Sequence, residues 1–408
     1  MQGAIFHVDG DAFFVGCEVA KDPRLKGLAV VTGEDRGIVT AASYEAKALG
    51  VTRGMPIFKL KKEFPKVLVL PSDYQSYANF SRKMFDVVRR YTEDVEEYSI
   101  DECFADLTGW DKPFKLSYKQ MAERIKKEIT SELGLSVSVG LAPTKVLAKV
   151  ASKWQKPNGL TVIEEGDVSK FLSQTSIETI WGIGPRTSES LKRMGINTAQ
   201  DLAVKSLEWI EENLSKPYQV IWHELNSRPV MKVDKEIKDT YSSIQKTHTF
   251  HPATNDKVFL LSQLSKNIES ATRKARFYNL VPKSVSFFLK TREFHYLHFD
   301  LPLALPTNAP EIISSLARIN FNKFYDKNLL YRTTGVVLHD LVPMAQTQLD
   351  LFGGQLVMNK LDVIHKQIDN LEEKFGRHVV YLASTHKALK RKTLGTDAED
   401  LDRDLLFL

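Results

Sequence analysis

Four acidic residues define the chemistry open to this chain: Asp9, Asp11, Asp101 and Glu102. Asp9 and Asp11 stand at i and i+2, so on a strand both side chains face one side. Asp101 and Glu102 are adjacent and would face opposite sides of a regular strand, so they share a site only where a turn breaks the strand. Both pairs sit in apolar surroundings, AIFHVDGDAFF and EYSIDECFADL. A buried charge without a partner is very costly. Hard divalent cations are the usual compensation for clustered carboxylates, and Mg2+ suits oxygen ligands with retained waters. Two such ions bridged by carboxylates serve in-line phosphoryl or nucleotidyl transfer, one activating a hydroxyl and the other neutralising a leaving pyrophosphate. Spacing alone leaves a plainer reading open, with Asp9 a turn residue and Asp101–Glu102 an exposed pair.

The elements that must position these groups mix strands with crossing helices. Residues 4–9 read as a half-buried strand, and residues 28–32 and 37–41 as two β-branched strands around the turn 33–36. Tyr77, Phe80, Met84, Phe85 and Val88 give residues 73–92 a helical period. Residues 95–107 read as two strands around a tight turn. Residues 117–133 are an amphipathic helix with Met121, Ile125, Ile129 and Leu133 on one face, and 136–142 alternate as a strand. The pattern is α+β with an antiparallel or mixed sheet. Residues 165–230 are helical and short-looped, and 231–242 read as a polar linker. Residues 244–340 form a second α+β unit: a basic helix over 258–278, a strand over 283–292, a helix over 310–325 and a strand over 331–338. After Val342-Pro343 a low-structure segment ends in QLDLFGG, and 356–376 suit a terminal helix.

With 408 residues, roughly two to four domains are expected. No run of about eighteen apolar residues appears, so no membrane span is expected. The N-terminus lacks the basic and apolar regions of a signal peptide. Cys17 and Cys103 have no metal-binding spacing, which fits a reducing cytoplasm. Charge is uneven. Residues 1–240 hold 34 Lys and Arg against 34 Asp and Glu, residues 241–340 hold 13 against 7, and residues 341–408 hold 9 against 10. The positive excess therefore sits in the second α+β unit, as for a module that meets a polyanion such as nucleic acid, or as a solvated basic face.

Four segments in order, HVDGDAFF, GIVTAASYEAKALGVTRGMP (37–56), YSIDECFADLTG (98–109) and VSVGLAPTKVLAKVASKWQKPNG (137–159), resemble the motifs of the Y-family lesion-bypass DNA polymerases, most closely the DinB, or polymerase IV, branch. The resemblance runs from residue 4 to about 340. It implies an α+β multidomain right hand: palm 1–10 and 74–165, fingers 11–73, helical thumb 166–232, linker 233–241, α+β little finger 242–341, and a C-terminal tail 342–408. It implies a low-fidelity, template-directed enzyme of translesion synthesis, working as a cytoplasmic, nucleoid-associated monomer on primer-template DNA and deoxynucleoside triphosphates. It makes Asp9, Asp101 and Glu102 the catalytic ligands of two Mg2+ ions, with the backbone carbonyl of Gly10 also available. The family usually carries a larger side chain at that position, to which a backbone ligand is insensitive. Phe14 falls at the steric gate that excludes a 2′-hydroxyl. Tyr44, Lys47 and Lys156 match triphosphate-binding positions; Lys47 stands where the family more often has Arg, a bidentate group that Lys does not replace. Ser99 would line the primer terminus. Small residues Thr40, Ala41, Ala42 and Ser43 would roof the nascent base pair, a sparse check on its shape.

The segment WGIGPRTSESLKRMG resembles a helix-hairpin-helix, in which Gly182 and Gly184 let the backbone approach a phosphate ahead of a helix N-terminus. Lys246, Arg273, Arg276, Lys290, Arg292 and Arg332 are candidate phosphate contacts, which position a duplex without reading it. Gln348, Leu349, Asp350, Leu351 and Phe352 resemble the pentapeptide that docks in the bacterial sliding clamp. Rival classes are a nucleotidyl cyclase, a UmuC-like polymerase subunit and a non-catalytic scaffold that binds DNA and clamp. The first would lack the hairpin and the basic unit, the second would need accessory subunits, and the third has no chemical reason to keep the three carboxylates.

Overall fold

A computed structural model describes residues 3–236, 241–344, 354–376 and 378–390, without the side chains of 354–359. The chain forms two compact units, Met1–Ile237 and one from residue 238 onward.

The first unit is centred on a five-stranded sheet. Its strands are β1 (Ile5–Gly10), β5 (Val95–Glu97), β6 (Glu102–Asp106), β7 (Val137–Ala142) and β8 (Leu160–Val162), in the order β5-β6-β1-β7-β8. All pairs are antiparallel except β7–β8, which makes the mixed sheet expected from the sequence. The period-two alternation of β1 sorts its residues. Phe6 and Val8 join Met84, Val88, Met121 and Ile125 in the core under the helices Tyr74–Arg89 and Tyr118–Leu133. Ile5, His7 and Asp9 face the other way, toward the layer holding the helix Lys145–Trp154. That helix rests on β7 at Gly140, where a Cβ would lie 2.0 Å from the Ala148 carbonyl oxygen and 2.3 Å from the Ser152 nitrogen. Only glycine allows so close an approach, and the approach places Lys149 and Ser152 over the sheet.

A smaller sheet joins β2 (Val30–Thr32), β3 (Ala41–Ala42) and β4 (Leu68–Leu70), in the order β3-β2-β4. The expected second strand over 37–41 is mostly absent. Gly37 takes φ +70° after the short 3-10 turn Glu34–Arg36, and Val39 hydrogen-bonds to Met55 instead. Only Ala41 and Ala42 pair with β2, while β4, which the alternation did not mark, pairs parallel to it. Short helices follow from residue 168 to 225, among them Val168–Ser173, Pro185–Arg193 and Lys216–Leu225.

The second unit carries a four-stranded antiparallel sheet, order β12-β11-β13-β9, from β9 (Ser243–Thr254), β11 (Ser284–Thr291), β12 (Tyr296–Pro302) and β13 (Tyr331–His339). The helices Lys257–Phe277 and Pro310–Asn320 build its core with Phe287, Leu289, Val336 and Leu338. The second helix stops at Asn320, and a 3-10 turn, Phe321–Lys323, takes the rest of the expected span. β10 (Leu280–Val281) pairs with β14 (Val342–Pro343). Beyond residue 353 a helix, Gly354–Phe375, begins close to where the sequence placed one, and Arg276 holds its Asp369 in a two-pronged pair at 2.7 and 2.8 Å.

Gly140→Ala is expected to cost about 3 kcal/mol, because the added methyl meets helix backbone that cannot move alone. Gly166→Ala, with open space around it, is expected to stay within about 0.5 kcal/mol of the parent. Urea denaturation of both variants reads the difference, and equal midpoints would contradict this packing.

Candidate active site

Register brings two of the carboxylates together. Asp9 lies directly opposite Glu102 on β1 and β6, and Asp101 occupies the bend just before β6, where its carbonyl accepts the Gly10 N–H at 2.8 Å. This is the broken-strand geometry that an adjacent acidic pair requires. Asp9 is 6% exposed. Burial pushes its carboxyl up to about 6, against the pull of Lys156. Burial also raises Asp101, whose Oδ1 accepts the Ser99 hydroxyl at 2.7 Å. Glu102 goes the other way. Burial raises it too, but His7 and Lys149 outweigh burial and hold it near about 2.

Three residues not singled out in the sequence supply these counter-interactions. Lys149 Nζ contacts Glu102 Oε2, as Lys156 Nζ contacts Asp9 Oδ1. The His7 Nε2 atom lies 3.1 Å from Glu102 Oε2, and its Nδ1 lies 2.7 Å from the Ser152 hydroxyl. Burial lowers His7 to about 4, so the ring is neutral near pH 7. Because the ionised Glu102 can only accept, the single ring proton belongs on Nε2 and the Ser152 hydroxyl donates to Nδ1. Lys145 and Lys149 are one helical turn apart, a spacing that could have marked a shared face. Lys149 also sits 4.2 Å from the centre of the Tyr98 ring and 5.2 Å from that of Trp181.

Asp11 stands just past the end of β1 at Gly10 and shares Lys156 with Asp9, its Oδ1 3.6 Å from the Lys156 Nζ. It accepts hydrogen bonds from Ser136 Oγ (2.7 Å), Ser138 Oγ (2.8 Å) and the Asn158 N–H (2.7 Å). It thereby anchors the loop that carries Lys156. Gly10 is explained by its neighbour: a Cβ there would lie 2.7 Å from the Phe13 ring. Phe13 is the core aromatic, and Phe14 is half-buried, stacked on Tyr77 at 4.6 Å and edge-on to Tyr74 at 5.5 Å. Tyr44 and Lys47 share the short helix Tyr44–Ala48, with Lys47 Nζ 4.2 Å from the Tyr44 ring centre. Burial and the Asp11 and Asp9 carboxylates raise the Tyr44 phenol; burial and then the Lys156 charge lower Lys47. Tyr44, Lys47 and Lys156 are therefore within electrostatic reach of the carboxylates.

The donor set, three carboxylates and a nearby carbonyl, has the all-oxygen chemistry of a hard divalent cation site. Among the described residues no three or more His, Cys, Asp or Glu side chains gather as a ready cage; the lysines lie against the carboxylates instead. Elsewhere in this unit Gly182 takes φ +90°, and Gly184 caps the helix Pro185–Arg193 with Pro185 at its start. Trp181 stacks on Phe104 at 5.4 Å and donates its indole N–H to the Tyr98 hydroxyl at 2.8 Å.

In the second unit Arg332 lies over the Phe294 ring at 4.4 Å, and the Arg292 N–H donates to the Leu330 carbonyl. Arg273 and Arg276 are engaged by Glu372 and Asp369 of the terminal helix, which weakens them as phosphate contacts. Gln348, Leu349, Asp350, Leu351 and Phe352 lie outside the described residues. Among the described residues no helix is long and apolar enough to cross a membrane.

Comparison with known proteins identifies the family. The model of the impB/mucB/samB family matches residues 8–153, its HHH motif 165–196 and its C-terminal domain 241–351. DNA polymerase IV of Desulfatibacillum aliphaticivorans is 31% identical over 387 residues, 93% of this chain and 96% of that protein. DNA polymerase IV 1 of Bacillus subtilis (strain 168) is 31% identical over 398 residues, 96% and 95% of the two chains. A Y-family DNA polymerase chimera, Dbh-Dpo4(243-245)-Dbh, superposes with a TM-score of 0.69 at 26% identity, covering 83% of this chain and 99% of the chimera.

The two carboxylates predict opposite stability effects in metal-free buffer. Asp9 titrates above its ordinary value of 3.8, so its protonated form favours folding; that contribution is complete below about 3.8 and lost as pH rises through about 6. Asp9→Asn is therefore expected to stabilise by about 2–3 kcal/mol at pH 8 and by nothing at pH 3.5. Glu102 titrates below 4.5, so its contribution is present above that pH and lost toward about 2, and Glu102→Gln should destabilise at neutral pH. Denaturation midpoints across pH measure both, and the same sign for the two variants at pH 8 would refute the assignment.

Proposed function

Since this chain belongs to the impB/mucB/samB family, the Y-family of translesion DNA polymerases, we propose that it extends primers from a site built on Asp9, Asp101 and Glu102, with two Mg2+ ions as cofactors. The observation that carries the reading is the cross-strand pairing of Asp9 with Glu102, with Asp101 at the adjoining bend. Asp9, Asp101 and Glu102 would hold the divalent ions, which would supply a lowered pKa for a primer 3′-hydroxyl and charge neutralisation for a departing pyrophosphate. The Gly10 carbonyl adds a backbone oxygen.

The chain's own residues account for the rest. Lys156, anchored beside Asp9 by the Asp11 loop, turns its ammonium to the triphosphate together with Lys47 and the Tyr44 hydroxyl. His7 and Ser152 keep Glu102 ionised and oriented whatever Lys149 does. Phe14, braced from behind by Tyr77 and Tyr74, presents an unyielding ring to the sugar and excludes a 2′-hydroxyl. Of the four small residues expected to roof the base pair, Ala42 lies in the core and Ser43 caps the helix Tyr44–Ala48; Thr40 and Ala41 remain as a roof with little side chain to police base-pair shape, which favours low fidelity and bypass of damaged templates. The hairpin at Gly182 and Gly184, with Arg292 and Arg332, holds DNA by its phosphates. Gln348, Leu349, Leu351 and Phe352 recruit the chain to the sliding clamp, where it acts as a monomer on cytoplasmic, nucleoid DNA.

Primer extension tests the site. Asp101→Ala or Glu102→Ala should reduce incorporation by a factor of at least about 1000 while primer-template binding stays within a few-fold; retained extension would overturn the mechanism. Phe14→Ala should admit ribonucleotides with little loss for deoxynucleotides. Unchanged sugar discrimination in that variant would remove Phe14 from the gate.

A further inference from the structure

The tip of the β11–β12 hairpin carries more built-in irregularity than a surface turn needs. Phe294 sits at φ +72°, in the left-handed region that bulky side chains avoid, at the position of a tight turn that Gly or Asn usually fills. The turn is closed by the Phe294 N–H on the Thr291 carbonyl at 3.0 Å and the Thr291 N–H on the His295 carbonyl at 2.8 Å. Sheet register slips twice on the β13 side of it, between β11 and β13 at Lys290 and Thr291 and between β13 and β9 at Tyr331 and Thr333. Such bulges re-aim side chains, and here they bring a cation from each strand to one ring. Arg332 lies 4.4 Å and Lys290 4.9 Å from the Phe294 ring centre, and Lys290 also lies 4.7 Å from that of Tyr296. Phe294 and Tyr296 nonetheless remain 59% and 58% exposed. Lys290, Arg292 and Arg332 pair with no carboxylate among the described residues.

We propose that this hairpin tip is a stacking site for an unpaired nucleobase of single-stranded DNA. Exposed aromatic rings take any base once the mobile side chains of Lys290 and Arg332, which lie over them, turn to the flanking phosphates, the combination that recognises single strands without reading sequence. A grip on duplex phosphates alone would use the cations and have no use for two exposed rings, one of them in a disfavoured backbone conformation. The proposal rests on the DNA-polymerase reading and adds to the phosphate grip assigned above, with which it shares Arg332, a base contact that the grip does not supply.

The test uses the full chain and fluorescence anisotropy with two labelled 12-mers of equal charge, oligo(dT) and a fully abasic strand. The wild type should bind oligo(dT) at least about 5-fold more tightly. Phe294→Gly, which removes the ring and suits the backbone, should keep or raise the thermal midpoint while cutting that preference below about 2-fold. Phe294→Tyr should keep the preference. Arg332→Ala should weaken both strands alike and flatten the salt dependence. Equal binding of the two strands by the wild type, an undiminished preference in Phe294→Gly, or a lowered midpoint in that variant would each overturn the stacking site. Extension of a duplex primer by the same preparation separates the two readings: if it persists, only the stacking site has failed.

Discussion

Three ionisable acids meet where two antiparallel strands of a buried sheet end, and the surrounding structure answers their charge. Two carboxylates on paired strands, with a third at the adjoining bend, would repel one another in a low-dielectric setting. The fold meets them with cations and donors: His7 from β1, Ser99 from the bend, and the rest from one neighbouring helix and its following loop. Lys149 and Ser152 come from the helix over Gly140, and Lys156 comes from the loop directly after it. Acids gathered in this way are not optimised for stability, and the raised Asp9 and Asp101 are the cost.

Asymmetry within the trio follows from how each acid is held. Glu102 is bound by both Lys149 and the neutral His7 and is fixed as an anion. Asp9 depends on a lysine from a loop, and Asp11 both anchors that loop at Asn158 and lies 3.6 Å from the same lysine. The adjoining Phe13–Phe14 pair divides its labour likewise: Phe13 fills the space that a side chain at Gly10 would take, and Phe14 is left half-exposed on a stack of tyrosines.

The parts of this arrangement that were legible in the sequence are those where pattern and chemistry coincide. The alternation of IFHVDG and the helical period of residues 117–133 located the sheet and its backing helix. The adjacent Asp101–Glu102 pair required a strand break, and there is one. His7 was hidden because one histidine in an apolar strand looks like core. Lys149 was hidden because helix lysines ordinarily face solvent. β9 escaped notice because Lys246 and His248 interrupt its inward apolar positions Ile244 and Phe250, whereas the Leu297, Phe299 and Leu301 alternation of β12 was legible and was missed. Arg273 and Arg276 read as free basic residues since their acidic partners lie almost a hundred residues away. Assigning metal, sugar gate and triphosphate contacts came from the ordered motifs, which spacing could not have supplied.

Counting bound cations tests the central claim most directly. Electron paramagnetic resonance of Mn2+ added to the chain with primer-template and a non-hydrolysable deoxynucleotide should show two ions per chain, with binding weakened at least about tenfold in Asp9→Asn and in Asp101→Asn. Mn2+ binding in those variants equal to the wild type would contradict a cation site at the end of β1 and β6.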